Sequence, residues 1–319
     1  MGQLLSVADP ETADAISMSD PHTALPQHQP VMDREVLQYL NPHPGAMIID
    51  GTVGLGGHSL RILPQLLPDG RLIAIDRDRD ALQLARQQLT EFQPHVTFVH
   101  ENFRNLPDVL KRIGLSLVDG VLLDLGMSSF QVDRDERGFS FSKEGPLDMR
   151  MDRDQDLTAE VFIRDASIEE LEQIFRTFGE ERFATSIARR IADERRHHPI
   201  TATTQLARMI TDAVPPRARY GRLHPATRTF QALRMAVNDE LGALGTVLGS
   251  LEAVLNPGGR VVILTFHSLE DRLVKHTFAQ GARENRWTVL TKKPVRPTAT
   301  EVSQNPRARS AKLRCLERR

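Results

Sequence analysis

Hydrophobic and polar positions follow two different patterns along this chain. Up to residue 124, apolar runs of strand length alternate with segments in which apolar residues recur three or four positions apart. That alternation of strands and helices predicts a parallel β-sheet. A helix is predicted first, over Asp33–Leu40. The predicted strands are Met47–Asp50, Arg71–Asp76, His95–His100 and Val118–Asp124.

The alternation then stops for roughly a hundred residues, where the pattern is helical. Ser167 and Thr203-Thr204 are suitable N-cap residues, and one long helix is predicted over Thr227–Leu255. Strands return at Arg260–Phe266, and residues 287–290 and 311–316 could supply two more. The other predicted helices are Ser167–Phe178, Arg182–Glu194 and Thr203–Ala213.

We therefore predict an α/β protein with a Rossmann-like sheet that carries a helical insert domain. The sheet domain is discontinuous and comprises residues 26–134 and 227–319. The insert comprises residues 135–226. Residues 1–25 contain four acidic residues and no Lys or Arg, so they resemble neither a secretory signal nor a basic transit peptide. We expect them to form a disordered acidic tail.

A glycine-rich turn, Gly51–His58, follows the first predicted strand and precedes a helical pattern. Such a turn lets the backbone approach a ligand closely. Its order, G-x-x-G-x-G-G, differs from the G-x-G-x-x-G of dinucleotide sites. From the turn alone, NAD or FAD, S-adenosylmethionine and a purely structural turn all remain possible.

Acidic residues end three of the predicted strands: Asp50, Asp76 and Asp124. Ligands of open α/β sheets bind beyond the carboxyl ends of the strands. Phe103 follows the third strand, where its ring could lie against an adenine. Each acid alone could simply cap a helix, but three at one edge beside an aromatic ring favour a cofactor that contains a nucleoside.

The overall composition sets further limits. The 319 residues include 41 basic and 42 acidic ones, so no global field indicates a nucleic-acid partner. A single cysteine, Cys315, excludes an intramolecular disulfide and suits a reducing compartment. The longest apolar stretches have only strand length, so no membrane span is expected. We therefore expect a cytoplasmic protein.

Basic residues are nevertheless concentrated in two stretches. From Arg283 to the C-terminus there are 11 Lys or Arg against three Glu, a local net charge of +8, and a second basic stretch runs from Arg189 to Arg228. Such stretches attract phosphates. The C-terminal one favours nucleic acid, whereas the middle one is equally compatible with a solvated helix face.

Many short stretches of the chain are similar to the bacterial ribosomal RNA small subunit methyltransferase H family, of the MraW type. The similarity runs from about His28 to the C-terminus. The matching stretches are residues 28–31, Ile49–His58, Ala74–Asp78, Leu122–Ser129, Glu136–Phe141, Gly145–Met151, Gly179–Phe183, His224–Arg234, Phe266–Arg272 and Asn305–Ser310. Met127 and Phe130 stand where many relatives have Val and Pro, and the segment between Gln280 and Asn305 is short for the family.

The resemblance implies a class I methyltransferase sheet that binds S-adenosyl-L-methionine. The family methylates the exocyclic N4 of a decoding-region cytidine in 16S rRNA. The partner implied is therefore 16S rRNA within the 30S subunit, with no DNA and no membrane, and a homodimer is possible. The insert is expected to recognise this RNA. The family's cofactor positions correspond here to Gly56, Gly57, His58, Asp76, Phe103, Asp124 and Gln131.

Methylating a cytosine amine requires an acceptor for the amine's hydrogens, because the nitrogen lone pair is delocalised into the ring. We expect Asp124, or the Leu125 carbonyl, to be this acceptor, with Ser128 and Ser129 near the base. Asp124 could instead serve only to bind the cofactor. His267 is expected to position the substrate, the alternative at this place being a helix cap formed by Ser268.

No metal site is expected. His197-His198 lacks acidic or Cys partners at ligand spacing. Glu136, Asp148 and Asp152 alternate with arginines and are expected to form ion pairs, although a bound magnesium remains possible there. Two rival functions are a nicotinamide oxidoreductase and an RNA-binding module that has lost its catalytic activity.

Overall fold

The protein is described by a computed structural model that covers residues 29–221 and 223–319. The predicted acidic tail, residues 1–25, lies outside the described residues. The strands are β1 (Met47–Asp50), β2 (Arg71–Asp76), β3 (Val96–His100), β4 (Val118–Asp124), β5 (Leu255–Thr265), β6 (Trp287–Val289) and β7 (Lys312–Arg318).

These strands form one sheet in the order β3-β2-β1-β4-β5-β7-β6. The first five pair in parallel, whereas β7 is antiparallel to both β5 and β6. This arrangement confirms the predicted Rossmann-like α/β class and both C-terminal strands. The chain order reverses beside β1, since β1 pairs with β2 on one side and with β4 on the other. Ligand crevices of open α/β sheets form at such a switch point.

Helices cover both faces of the sheet and build the insert. The first five are α1 (Asp33–Leu40), α2 (Gly57–Leu66), α3 (Arg79–Gln88), α4 (Leu106–Arg112) and α5 (Ser129–Asp133). The insert contains α6 (Ala159–Asp165), α7 (Ile168–Thr177), α8 (Ala184–Glu194), α9 (Thr203–Ala213) and α10 (Pro216–Arg219). The last four are α11 (Ala226–Val237), α12 (Glu240–Val254), α13 (Ser268–Arg283) and α14 (Ala299–Gln304).

Alternate residues of each central strand enter different hydrophobic cores. Ile49, Leu123 and Ile263 pack against α4, α12 and α13, whereas Ile48 and Leu122 pack against α1 and α2. This division follows from the two-residue period of a strand that is buried on both faces. A third core lies within residues 139–237 and joins α6 to α9 with α11. The domain boundaries themselves stay predictions.

The predicted helix over Thr227–Leu255 is wrong, because the structure has two helices there. The helix is interrupted at Asn238 and Asp239. Asp239 takes a left-handed conformation with φ 44°. The buried Asn238 side chain donates to the Met149 carbonyl at 2.7 Å and accepts from the Met151 amide at 2.8 Å. These bonds to a distant loop redirect the chain between α11 and α12.

The predicted helix caps had two outcomes. Ser167 does cap α7, in a reciprocal capping box with Glu170. The prediction for Thr203-Thr204 is wrong, because Ala202 occupies the N-cap of α9 and makes no side-chain bond. The Thr203 hydroxyl instead donates to the Lys143 carbonyl at 3.0 Å. Among the described residues, no helix has both the length and the apolarity needed to cross a membrane.

Candidate functional site

A cleft opens at the carboxyl edge of the sheet, where β1, β2 and β4 end. It encloses about 1290 Å³ of empty space, including its part open to solvent. The carboxyl-edge residues that line it are Gly51–Leu55, Gly57, His58, Asp76, Arg77, Phe103, Asp124–Ser129 and Gln131. It is also lined by Gln29, Pro30, Val31, Ala81, Met151, Glu240, Leu244, Phe266, Glu270 and Arg307.

The glycine-rich turn forms one wall of this cleft. Gly56 has φ +90°, which an L side chain rarely adopts, and a Cβ there would lie 3.3 Å from Cγ of Leu89. A Cβ at Gly51 would lie 2.6 Å from Cδ2 of Leu123, so the Leu123 side chain would have to shift. The glycines thus leave backbone exposed to the cleft where β1 passes into α2.

Two acids, the buried Asp50 and the half-buried Asp124, lie beside the start of α2. Asp50 accepts from the Ser59 hydroxyl at 2.7 Å. Burial raises the pKa of Asp50, and this bond only partly offsets the effect. Next to it, His58 Nε2 lies 3.5 Å from Oδ2 of Asp124. Burial alone would lower the pKa of His58, but the carboxylates of Asp124 and Asp50 raise it overall.

Several polar atoms at this point have no hydrogen-bond partner among the described residues. Both ring nitrogens of His58 and Oδ1 of Asp124 are buried without a hydrogen bond among the described residues. Buried polar atoms are normally satisfied, and an exception at a cleft is typical of a ligand site. The pair therefore offers donors and acceptors to a polar ligand at the junction of β1 and β4.

Asp76 lies at the end of β2, as the sequence predicts. Its carboxylate accepts from the amides of Gly54 and Asp78, each at 2.8 Å. Burial raises its pKa to about 6, and the two amide bonds oppose that shift. A carboxylate fixed in this way is a ready acceptor for hydroxyl groups. The Phe103 ring is buried and lines the same cleft.

The expected catalytic serines and His267 all form or flank helix ends. The Ser128 hydroxyl caps α5 in a capping box with Gln131, and Ser129 lines the cleft. His267, rather than Ser268, is the N-cap of α13, so the alternative cap is wrong. Its Nε2 lies 3.0 Å from Oε1 of the buried Glu270. The substrate-positioning role of His267 stays a prediction.

Several cleft residues were given no site role by the sequence reasoning, among them Arg77, Met151 and Glu240. Glu270 follows β5 at the carboxyl edge, where its position in the sequence places it, and it lines the cleft. Burial would raise the pKa of Glu270, but His267 and the Phe266 amide lower it overall. Glu240 carried no comparable signal in the sequence, since it reaches the cleft only through the break before α12.

The two basic stretches are partly neutralised within the protein. The carboxylate of Asp271 forms ion pairs with both Lys312 and Arg314. Its Oδ2 lies 2.9 Å from Nζ of Lys312, and its Oδ1 lies 2.7 Å from Nε of Arg314. In the middle stretch, Arg195 donates to backbone carbonyls of the insert. Lys292 and Lys293 remain exposed. Arg222 lies outside the described residues.

The groups considered for metal binding behave as ion pairs or surface residues. The carboxylate of Asp148 accepts from Nε and Nη2 of Arg150, each at 2.8 Å. Oε1 of Glu136 lies 3.5 Å from Nη1 of Arg134. His198 lies 3.2 Å from Glu194. Glu240, His267 and Glu270 present ligand atoms within 4.8 Å of one another. Glu240 is, however, engaged by Arg234.

Comparisons with known proteins cover nearly the whole chain. The model of the MraW methylase family matches residues 26–319. Ribosomal RNA small subunit methyltransferase H of Halothermothrix orenii is 47% identical over 92% of this chain and 98% of its own length. The protein of that name from Nostoc sp. is 49% identical, over 91% and 92%. An rRNA methylase structure from Streptococcus thermophilus matches 90% of this chain and 93% of its own at 10% identity, with a TM-score of 0.42.

Proposed function

Because this chain belongs to the MraW methylase family, we propose that it methylates the N4 amine of a decoding-region cytidine in 16S rRNA, within the 30S subunit. Its cofactor is S-adenosylmethionine. Relatives named ribosomal RNA small subunit methyltransferase H support the ribosomal substrate. The observation that carries the proposal is the buried Oδ1 of Asp124, which lacks a partner among the described residues at the end of β4.

The cleft has the chemistry that this cofactor needs. The buried ring nitrogens of His58, which have no hydrogen-bond partner among the described residues, match the polar methionine end of this cofactor. The order of the turn, G-x-x-G-x-G-G, differs from the dinucleotide pattern. These features favour S-adenosylmethionine over NAD or FAD.

Each expected cofactor residue has a distinct task in this proposal. Asp76 would accept from the ribose hydroxyls, and Phe103 would cover the adenine. Gly56, Gly57 and His58 would hold the methionine end. When bound, the cofactor supplies an electrophilic methyl group for an in-line displacement, so the protein chiefly has to hold the reactants in near-attack geometry.

Asp124 is the proposed acceptor for the cytosine amine. Its Oδ2 faces His58 at 3.5 Å, which leaves Oδ1 for a donor in the cleft. As the bond between nitrogen and the methyl carbon forms, the nitrogen loses its lone pair to that bond and must release a proton. A carboxylate beside it accepts that proton. Ser128 and Ser129, four and five residues after Asp124, would lie near the base.

The target cytosine must leave its stack to reach this cleft. The exposed Lys292 and Lys293, together with the insert, are proposed to hold the RNA backbone around it. Because folded RNA is recognised largely by shape, we expect activity on assembled or partly assembled small subunits and little on a short oligonucleotide.

An Asp124→Asn variant tests the acceptor role. Methyl transfer from labelled cofactor to small subunits should fall about 100-fold or more, the usual contribution of a positioned proton acceptor. The affinity for S-adenosylhomocysteine, measured by calorimetry, should fall less than transfer does. Asp69→Asn is the matched control, because Asp69 is exposed and lies before β2, at the opposite edge of the sheet.

Three outcomes would contradict the proposal. Full-rate transfer by Asp124→Asn with normal cofactor binding would remove the acceptor role. Binding of NADH without binding of S-adenosylhomocysteine would favour an oxidoreductase. Tight binding to small subunits without any transfer would indicate an inactive RNA-binding module.

A further inference from the structure

A buried ionic network lies behind the cofactor cleft, between the sheet and the insert. Its members are Asp78, Gln131 and Arg137, whose exposed fractions are 1%, 4% and 2%. Oδ2 of Asp78 accepts from Nε2 of Gln131 and from Nη2 of Arg137, each at 2.8 Å. The bonds to Asp78 join residues that are 53 and 59 positions apart in the sequence, so they are tertiary contacts.

The orientation of the Gln131 side chain is fixed from two sides. Its Nε2 faces a carboxylate, which can only accept, and its Oε1 accepts from the Ser128 amide at 3.1 Å. A flipped amide would place its oxygen against Asp78 and its nitrogen against an N–H donor. Both contacts would then be repulsive, so the network allows one orientation.

This arrangement uses only half of the hydrogen-bonding capacity of the amide. A glutamine side chain has two N–H groups and two oxygen lone pairs, and one of each is occupied here. The second N–H and the second lone pair remain for a ligand in the cleft that Gln131 lines. A donor beside an acceptor is the pattern that pairs with adenine, whose amino group donates while its neighbouring ring nitrogen accepts.

Arg137 holds Asp78 in place and connects it to the insert. Its Nη2 also donates to the carbonyls of Arg150 and Met151, at 3.0 and 3.2 Å. Met151 in turn lines the cleft. The other oxygen of Asp78 caps α3 by accepting from the Asp80 and Ala81 amides. Asp78 therefore cannot rotate without losing a helix cap.

We propose that Asp78, held by Arg137, is a positioning residue that fixes the Gln131 amide so that it recognises the amino edge of adenine. This inference rests on the proposed function, since it takes the cleft ligand to be an adenosyl compound. It adds a specificity device to that site. The cleft would discriminate adenosyl from inosyl ligands, because hypoxanthine has an oxygen acceptor where adenine has an amino donor.

The test compares S-adenosylhomocysteine with S-inosylhomocysteine by calorimetry on the full chain. The natural sequence should prefer the adenosyl compound by about 10- to 100-fold, the discrimination of one amide–base pair. Asp78→Asn should reduce this preference to about threefold or less. Asparagine can keep the helix cap with its oxygen, but its NH₂ group then replaces the acceptor that orients Gln131.

Asp80→Asn is the matched control. Asp80 lies 3.7 Å from Nη1 of Arg137 but is 42% exposed, and no bond joins it to Gln131 among the described contacts. It should keep the full preference. Gln131→Leu removes the amide, so it defines the affinity ratio expected when recognition of the adenine is lost completely. If Asp78→Asn does not fold, Arg137→Lys decides. The lysine side chain is shorter and lacks the planar fork, so its ammonium cannot lie where Nη2 lies, and the preference should drop by about threefold.

The results separate this inference from the proposed function. Equal affinity of the natural sequence for both compounds would overturn the adenine recognition by Gln131. An unchanged preference in Asp78→Asn, or in Arg137→Lys if the former does not fold, would overturn the positioning role. Absence of S-adenosylhomocysteine binding to the natural sequence would instead overturn the proposed function, and this inference with it.

Discussion

Replacing Glu240 by leucine leaves the guanidinium of Arg234 buried without its main partner. In the structure, Nε and Nη2 of Arg234 donate to the two carboxylate oxygens of Glu240, at 2.7 and 2.9 Å. The side chains are only 10% and 8% exposed. The pair connects α11, which packs in the core of the insert, with α12, which packs against the sheet.

The magnitude follows from this burial. Removing one member of a buried ion pair typically costs about 3–5 kcal/mol, because an uncompensated charge remains. Glu240 lines the cleft, where water can reach the charge, so we expect the lower end, about 3 kcal/mol, for Glu240→Leu or for Arg234→Met. Burial would lower the pKa of Arg234, but Glu240 raises it overall. The guanidinium stays charged even when Glu240 is lost, because arginine is not deprotonated in proteins.

The double variant Arg234→Met with Glu240→Leu removes both charges and keeps the apolar volume. Its stability should lie within about 1 kcal/mol of the natural protein, since a buried pair rarely stabilises more than apolar residues of similar volume. The coupling energy of the cycle should therefore be several kcal/mol. The exposed pair of Glu172 and Arg176 within α7 is the control, with an expected coupling of about 0.5 kcal/mol or less.

Urea unfolding provides the assay. Trp287 is the single tryptophan and lies fully buried in the same core as α12, so its fluorescence reports on the sheet, while circular dichroism reports on the helices. Coincident transitions would justify a two-state free energy. Single variants that each cost less than about 1 kcal/mol, or a double variant equal to their sum, would refute the reasoning.

Three further predictions concern the cleft and the RNA surface. The affinity for S-adenosylhomocysteine should fall as the pH drops through about 6, because the ribose hydroxyls donate to the ionised carboxylate of Asp76. Calorimetry across this pH range measures the change. Asp76→Asn should abolish this pH dependence. Without ligand the sign is opposite. The raised pKa means that the folded state retains a proton which the unfolded chain releases near pH 4, so the contribution of Asp76 to stability should decrease from about pH 4 to 6; the difference in urea unfolding between the natural protein and Asp76→Asn measures it. Gly56→Ala should cost about 1–2 kcal/mol in urea unfolding, because its φ is left-handed, and should weaken cofactor binding; an unchanged affinity would show that the turn tolerates a side chain. Replacing Lys292 and Lys293 by alanine should reduce the salt dependence of small-subunit binding by a slope of about 1.5 or more if both contact phosphates, and an unchanged slope would place the RNA elsewhere.

Local patterns were sufficient to predict the sheet and the position of the cleft. Apolar runs that end in Asp50, Asp76 and Asp124 mark strands whose carboxyl ends meet at one edge. The glycine-rich turn marks the point where backbone is exposed. Each of these signals is carried by a few consecutive residues, so no knowledge of tertiary contacts is needed to interpret it.

Features that depend on distant contacts could not be predicted in this way. The break at Asn238 contains neither Gly nor Pro, and it exists because the Asn238 side chain bonds to the loop at Met149 and Met151. The partnership of Asp78 with Arg137 joins two separate parts of the chain. Gln131 was assigned through the family resemblance alone, because a glutamine in a polar loop carries no local signal.

The most direct measurement maps the modified nucleoside itself. Small subunits from cells that lack this protein are incubated with labelled S-adenosylmethionine and the purified chain, and the 16S rRNA is digested and analysed by mass spectrometry. The account predicts the label in N4-methylcytidine at one decoding-region position. Label in any other nucleoside, or no transfer at all to these subunits, would contradict it.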